Sequence, residues 1–453
     1  MQGNVTRENK MGVMPVGKLL VSMSLPIMIS MLIQALYNIV DSMFVARISE
    51  DALTAVSLVF PVQNLIIAVS VGTGVGVNAM LSKCLGAKDF DNANKAANNG
   101  LMLMLVSAVP FMLFGMFAAG WFMNAQTDNA VIVQHGVEYL RIVTIAGMGQ
   151  FGAIATERLL QSTGKTVESM ITQAVGAVVN IVLDPIMIFG WCGLPAMGVV
   201  GAAVATVISQ WVSFGLGVWF NLKKNKELTL SWKGMKPHGE TIGRIYTVGV
   251  PAIVMQSIGS VMTFMLNQIL IAFSSTATAV LGVYFKLQSF IFMPIFGLNN
   301  GMIPIVSYNY GAKNKARMVG TYKFAVAIAT GVMVVGTLLF ECVPGLLLSM
   351  YNASENMLLL GIPALRIIGV HFVVAGYCIV TGSMFQALGN GVPSLVISVM
   401  RQLVVLLPAA WLLAQTGDVN MVWWAFPIAE VMSAVMTALF FVREYRKKIA
   451  HLG

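Results

Sequence analysis

Residues 86–88 read Gly86-Ala87-Lys88 and residues 311–313 read Gly311-Ala312-Lys313, while Leu140-Arg141-Ile142 returns as Leu365-Arg366-Ile367. The offset is 225 in both cases (311 − 86 and 365 − 140), and it recurs at Pro26 and Pro251, Gly136 and Gly361, Gln161 and Gln386, and Gly164 and Gly389. One offset held without a gap means that the chain is a doubled unit.

The 453 residues are 57% hydrophobic and 10% charged, with a mean hydropathy of +0.81. A soluble domain carries about a quarter charged residues, so this is the composition of a membrane protein. Twelve apolar runs fall near 17–46, 53–82, 96–122, 136–160, 167–190, 196–221, 243–273, 277–308, 320–348, 360–387, 392–414 and 420–442. Each can cross a hydrocarbon core of about 30 Å as a helix. The expected fold is an all-α integral membrane protein with twelve transmembrane helices in two six-helix lobes. Because six is even, both copies start on the same side, which makes the internal repeat parallel. The first apolar segment is too long for a signal h-region and no small-residue cleavage site follows, so it is expected to stay as a span.

The net charge of +9 reflects topology rather than a nucleic-acid partner. The amino terminus holds Arg7, Lys10 and Lys18, and the even loops hold Lys83, Lys88, Lys95, Arg158, Lys165, Lys223, Lys224, Lys226, Lys313, Lys315 and Arg317; the odd loops offer only Arg47. Arg443, Arg446, Lys447 and Lys448 close the chain. By the positive-inside rule both termini are cytoplasmic. The polar stretch from Asn221 to Glu240 is too short for a domain, which gives an amino-terminal lobe over 1–222, a cytoplasmic linker over 223–240 and a carboxy-terminal lobe over 241–453.

Four cysteines, Cys84, Cys192, Cys342 and Cys378, form no CxxC pair and read as small buried hydrophobes rather than a disulfide or zinc framework. Gly72 and Gly76 recur as Gly297 and Gly301, a spacing that lets helices approach closely. Pro26 and Pro251 lie in the matching first helices, where a bend would reshape a cavity between the lobes.

Ionisable groups inside spans are costly and need a reason. Span 1 carries Gln34, Tyr37, Asn38 and Asp41 at i, i+3, i+4 and i+7, on one helical face. Span 5 carries Gln173, Asn180 and Asp184 on one stripe. Two carboxylates in a poorly solvated interior repel each other when both are ionised, so such a pair can load and release a proton or hold Na⁺ through its oxygens. The alternative is that the aspartates cap bends or pair with a base such as Arg141.

At the 225 offset Asp41 becomes Leu266 and Asp184 becomes Ala409. The second copy lacks the acids, which assigns ion coupling to the amino-terminal lobe. Its first helix keeps a neutral stripe, Gln256, Ser260, Thr263 and Asn267, suited to substrate or packing contacts. Met31 and Met255 beside the stripes are candidates for a flexible, polarizable cavity wall. Lys286, Arg401 and Glu430 form a candidate structural or carboxy-terminal charge set, and His371 reads as a satisfied interior histidine.

The run Leu36-Tyr37-Asn38-Ile39-Val40-Asp41, the Asn180 to Pro185 segment (NIVLDP) and Pro294 through Lys313 (PIFGLNNGMIPIVSYNYGAK) resemble the multidrug and toxic compound extrusion (MATE) family, in particular its bacterial DinF-like and MepA-like branch. The likeness covers the whole chain. It implies an antiporter that exports lipophilic, often cationic drugs or toxic organic cations, driven by H⁺ or Na⁺, with no cofactor and no enzymatic activity. It further implies an ion site at Asp41, Asn180 and Asp184, adjoined by Gln34, Tyr37, Asn38 and Tyr139, and a hinge near Pro26. Members with an acidic carboxy-terminal cation site carry carboxylates in spans 7 and 10. None occurs here between Gly249 and Phe273 or between Leu365 and Ala387.

The expectation is a multi-pass exporter of a bacterial cytoplasmic membrane that works by alternating access, embedded in the lipid bilayer with no obligate protein partner. A flippase for a lipid-linked precursor is the alternative within transport. An intramembrane enzyme lacks a recognisable nucleophile or metal set, and a receptor would need an output domain that the chain does not contain.

Overall fold

The computed structural model describes residues 9–351 and 353–452, so Arg7 of the expected cytoplasmic cations lies outside it. Fourteen helices carry the architecture: α1 (Val16–Ala46), α2 (Glu50–Gly86), α3 (Phe90–Phe117), α4 (Ala130–Ile145), α5 (Met148–Ser162), α6 (Thr166–Phe189), α7 (Val199–Lys224), α8 (Gly239–Ile271), α9 (Ser275–Gly311), α10 (Lys315–Cys342), α11 (Glu355–Gly369), α12 (Phe372–Ala387), α13 (Val392–Ala414) and α14 (Val419–Ile449). Short helices cover Lys10–Val13, Ala119–Asn124 and Pro344–Ser349.

The repeat is written into the helix ends. α2 and α9 are both 37 residues long and start at the 225 offset (275 − 50), and α3 and α10 are both 28 residues long (315 − 90). Ser49 and Ser274 cap matching helices by accepting from the Ala52 and Ala277 amides. Both helices end on a left-handed lysine, Lys88 at φ 57° and Lys313 at φ 56°, a conformation that an L residue adopts only under constraint. The next amide closes each turn, Asp89 onto Cys84 and Asn314 onto Asn309, both at 2.9 Å. Asp89 then caps α3, and hydrogen bonds from Asn92 hold its carboxyl below the usual carboxylate range.

Among the described residues ten helices are individually long and apolar enough to cross a membrane, and α11 with α12, bent by 50° at their junction, add an eleventh span. The repeat-equivalent pair α4 and α5 starts 225 residues earlier (355 − 130) and is broken at the matching place. Large apolar side chains such as Leu32, Phe117, Leu359 and Leu439 stand exposed, as lipid-facing surfaces require.

By packing, the described chain falls into two compact units. The amino-terminal unit contains Leu25–Gly249, and the carboxy-terminal unit contains Lys10–Ser24 with Val250–Gly453. Each first helix thus changes unit next to its proline, Pro26 in α1 and Pro251 in α8. The glycines explain why. A Cβ on Gly76 of α2 would overlap the carbonyl oxygen of Ile245 in α8, and one on Gly301 of α9 would overlap Ser24 of α1. Ser24 also donates to the Leu298 carbonyl at 3.3 Å. Arg317 ties the start of the chain to the carboxy-terminal unit through the Met11 and Met14 carbonyls at 3.1 and 2.6 Å.

The linker after α7 is docked rather than free. Asn94 accepts the Thr229 amide, Asn98 bonds both the Thr229 carbonyl and the Ser231 amide, and Asn99 accepts the His238 amide, at 2.7, 2.9, 2.9 and 2.9 Å. Three asparagines on α3 thereby satisfy backbone groups that no secondary structure pairs. Of the cysteines only Cys378 is buried. Cys192 and Cys342 are exposed, which corrects the reading of all four as interior residues; each lies at a helix end, where no neighbouring helix covers it.

Candidate functional site

The amino-terminal unit gathers most of its singled-out polar residues at one place. α6 and α7 approach closely because their interface is built of small side chains: a Cβ on Gly201 would crowd the Met187 backbone, one on Gly176 would overlap Ser213, and Ala202, Ala203 and Ala205 are buried. This closeness brings Thr206 of α7 against Asn180 and Asp184 of α6, all three buried. Pro185, directly after Asp184, lacks an N–H and so removes one backbone bond from α6 at this level.

The Asn180 amide lies 3.0 Å from Asp184 Oδ2 and 3.3 Å from the Thr206 backbone nitrogen. The orientation that satisfies both donates to the carboxylate and accepts the backbone N–H. Asp41 of α1 meets Asp184 carboxyl to carboxyl, at hydrogen-bonding distance. Among the described residues no donor reaches the buried Oδ1 of either aspartate, and neither takes part in an ion pair, Arg141 included. A carboxyl–carboxyl contact requires a proton or a cation between the two groups.

The Thr206 hydroxyl is within hydrogen-bonding reach of both Tyr37 and Tyr139, and Gln63 of α2 donates to the Tyr139 hydroxyl at 3.2 Å. Asp41, Tyr37, Tyr139, Asn180, Asp184, Thr206 and Gln63 therefore form one polar centre drawn from α1, α2, α4, α6 and α7. Gln34 and Gln173 pair with each other at 3.2 Å, nearer the other end of α6. The Asn38 side chain is exposed, and Met31 is half-buried on α1. Gln63 and Thr206 were not singled out from the sequence. An amide inside the second apolar run could have marked Gln63, whereas a threonine in an alanine-rich helix carries no distinguishing signal.

The two carboxylates and the Thr206 hydroxyl are hard oxygen donors, a set that fits a proton or Na⁺, while Asn180 steadies Asp184 by donating to it. Among the described residues no cluster of three or more His, Cys, Asp or Glu side chains is arranged to hold a metal ion.

In the carboxy-terminal unit Gln256, Ser260, Thr263 and Asn267 line one side of an open groove of about 450 Å³ with Gly259 and Phe264. The neutral stripe thus faces open space, with Met255 half-buried beside it on α8. The expected charge set separates. Arg401 and Glu430 are ion-paired at 3.2 Å, whereas Lys286 is exposed on α9 with its ammonium 5.7 Å from the centre of the Tyr351 ring. Arg366 donates to the Glu341 carbonyl at 3.2 Å, a structural contact.

The MatE family model matches residues 26–186 and 251–412, two stretches that begin 225 residues apart (251 − 26). The multidrug export protein MepA of Staphylococcus haemolyticus is 26% identical over 433 residues, covering 95% of this chain and 94% of that protein. A multidrug resistance MATE family transporter of the MOP superfamily, solved in an outward-facing conformation, superposes with a TM-score of 0.90 at 25% identity over 99% of both chains. A MOP superfamily transporter from Pyrococcus furiosus, whose binding pocket of reversed polarity suggests a different function, superposes with a TM-score of 0.89 at 26% identity, again over 99% of both chains. Repeat, helix order and whole-length likeness agree, and the chain belongs to the MatE family of membrane transporters.

Proposed function

We propose that this protein exports lipophilic, often cationic compounds from a bacterial cytoplasm in exchange for H⁺ or Na⁺, with both termini on the cytoplasmic side and the coupling ion bound at Asp41, Asp184 and Asn180. The observation that carries this reading is the contact between the Asp41 and Asp184 carboxyls, each with one buried oxygen that no described donor reaches. Likeness to the MepA exporter supports the drug substrates.

With both aspartates ionised and no ion between them, mutual repulsion in a buried site drives the pair apart. Ion binding removes that repulsion, draws α1 onto α6 and re-forms the Tyr37–Thr206–Tyr139 network. α1 bends at Pro26, where a backbone bond is already missing. Ion entry from outside and substrate release are thereby linked, because the loaded and unloaded centres favour different arrangements of α1.

The test uses purified protein in liposomes, a panel of cationic dyes, and pH and Na⁺ gradients imposed separately. Dye movement should follow one of the two gradients and disappear in the Asp41→Asn, Asp184→Asn double variant. Transport retained by that variant at normal expression would sink the reading.

A further inference from the structure

The carboxy-terminal unit contains a buried titratable centre of its own. Glu430 of α14 is only 3% exposed, yet it is ionically paired through one oxygen to Arg401; the Cys378 thiol lies beside the carboxylate, and among the described residues no hydrogen bond is formed to its Oε1. His371, at the start of α12, is buried and stacked on Phe426 with ring centroids 6.1 Å apart at 22°. Phe426 and Glu430 are four residues apart on α14 and share a face, so the imidazole and the carboxylate address the same side of that helix. Tyr284 of α9 packs against Phe426 at 5.5 Å, and its buried hydroxyl also lacks a partner. The titratable and charged groups facing the centre are Tyr284 from α9, His371 and Cys378 from α12, Arg401 from α13 and Glu430 itself.

The backbone at this centre is irregular as well. α13 winds as a π-helix over Met400–Leu406, the segment that carries Arg401. A π-turn is a rare, higher-energy form that concentrates at functional sites. None of the centre is inherited from the duplication: at the 225 offset His371, Arg401 and Glu430 correspond to Ala146, Gly176 and Ala205 (371 − 146, 401 − 176 and 430 − 205). Structural scaffolding performed twice would be present twice, as the caps and turn lysines are.

The tautomer follows from the hydrogen bond. His371 Nδ1 contacts the Ile368 carbonyl, which can only accept, so Nδ1 carries the hydrogen and Nε2 is the atom left to take up a proton.

We propose that His371 and Glu430 form a second proton-binding site, in which His371 Nε2 accepts the proton and Glu430 exchanges its ionic partner from Arg401 to the imidazolium. Arginine remains charged throughout, so the centre is neutral without the proton and carries one positive charge with it. The added charge competes with Arg401 for the single carboxylate. Release of Arg401 frees the π-turn to rewind, which makes α13 the responding element. The site is separate from Asp41 and Asp184 and does not depend on the reading given for them.

Histidine-selective isotope labelling of the purified full chain tests this directly, since the sequence contains only four histidines. NMR spectra from about pH 4.5 to 8.5 should show one ring transition that is absent in His371→Asn. Glu430→Gln should require about tenfold more acid to reach the same midpoint, because the counter-ion of the imidazolium is gone. The Glu430→Gln, Arg401→Gln double variant removes both partners and covers the case in which an unpaired Arg401 prevents folding; it should also displace the transition. Asp41→Asn, Asp184→Asn should leave it in place, which separates this site from the one in the other unit. A His371 ring that does not titrate in folded wild-type protein, or a transition indifferent to Glu430 in both variants, overturns the proposal.

Discussion

Asp41 and Asp184 stand carboxyl to carboxyl, on α1 and α6 of one unit, with Asn180 bonded to the second of them and Thr206 beside it. Among the described residues neither acid has a cation from the protein as partner, which is the ground for proposing that the centre binds one.

Replacing Asp184 alone by Asn leaves a permanently neutral group next to Asp41. Ion-driven dye transport should fall by at least about tenfold, the equivalent of roughly 1.4 kcal/mol. Fluorescence polarisation with the same dye should show binding within about threefold of wild type, a ratio worth only roughly 0.6 kcal/mol. A matched loss of binding and transport would instead place Asp184 in the substrate site.

Thr206→Val keeps shape and removes the hydroxyl shared by Tyr37 and Tyr139. One lost hydrogen bond in a buried network is worth about 1 kcal/mol. Transport should drop about fivefold, Thr206→Ser should restore it, and thermal stability should change little in either. Wild-type rates in Thr206→Val would remove the threonine from the centre.

Gly76→Ala drives a methyl group into the Ile245 carbonyl oxygen, and Gly301→Ala drives one into Ser24. Overpacking of this kind costs about 1–3 kcal/mol, which should appear as a lower melting temperature in detergent for both variants. Gly215→Ala, which meets nothing within 4 Å, serves as the control and should melt as wild type does.

Pro26→Ala restores the missing backbone donor of α1 at the point where the helix passes from one unit to the other. The variant should be as stable as wild type or slightly more so, and transport should be strongly reduced. Full activity in a stable Pro26→Ala protein would show that bending there is not required.

Asn98→Ala deletes the bonds to both the Thr229 carbonyl and the Ser231 amide. The linker should then be cut faster by a protease, by about tenfold if both bonds hold it closed. Unchanged cleavage would mean that Asn94 and Asn99 suffice.

Much of this protein is legible in one dimension. The 225 offset, the apolar runs and the one-sided Lys and Arg residues gave two sets of six spans, because the bilayer forces every backbone group to be satisfied within its own helix. Periodicity likewise placed Gln34, Tyr37 and Asp41 on one stripe and Asn180 with Asp184 on another, and the repeat marked these acids as belonging to one copy. What the sequence could not decide is who meets whom across helices. Thr206 joins the centre only because alanines and glycines let α7 approach α6. Lys286 leaves the expected charge set for Tyr351, the Asn94, Asn98 and Asn99 face of α3 turns out to hold the linker, and Ser24 and Ile245 pack on glycines of the opposite repeat. Each of these outcomes is a contact between residues distant in the chain, set by the closest approach that two helices can reach, and no local pattern records that distance.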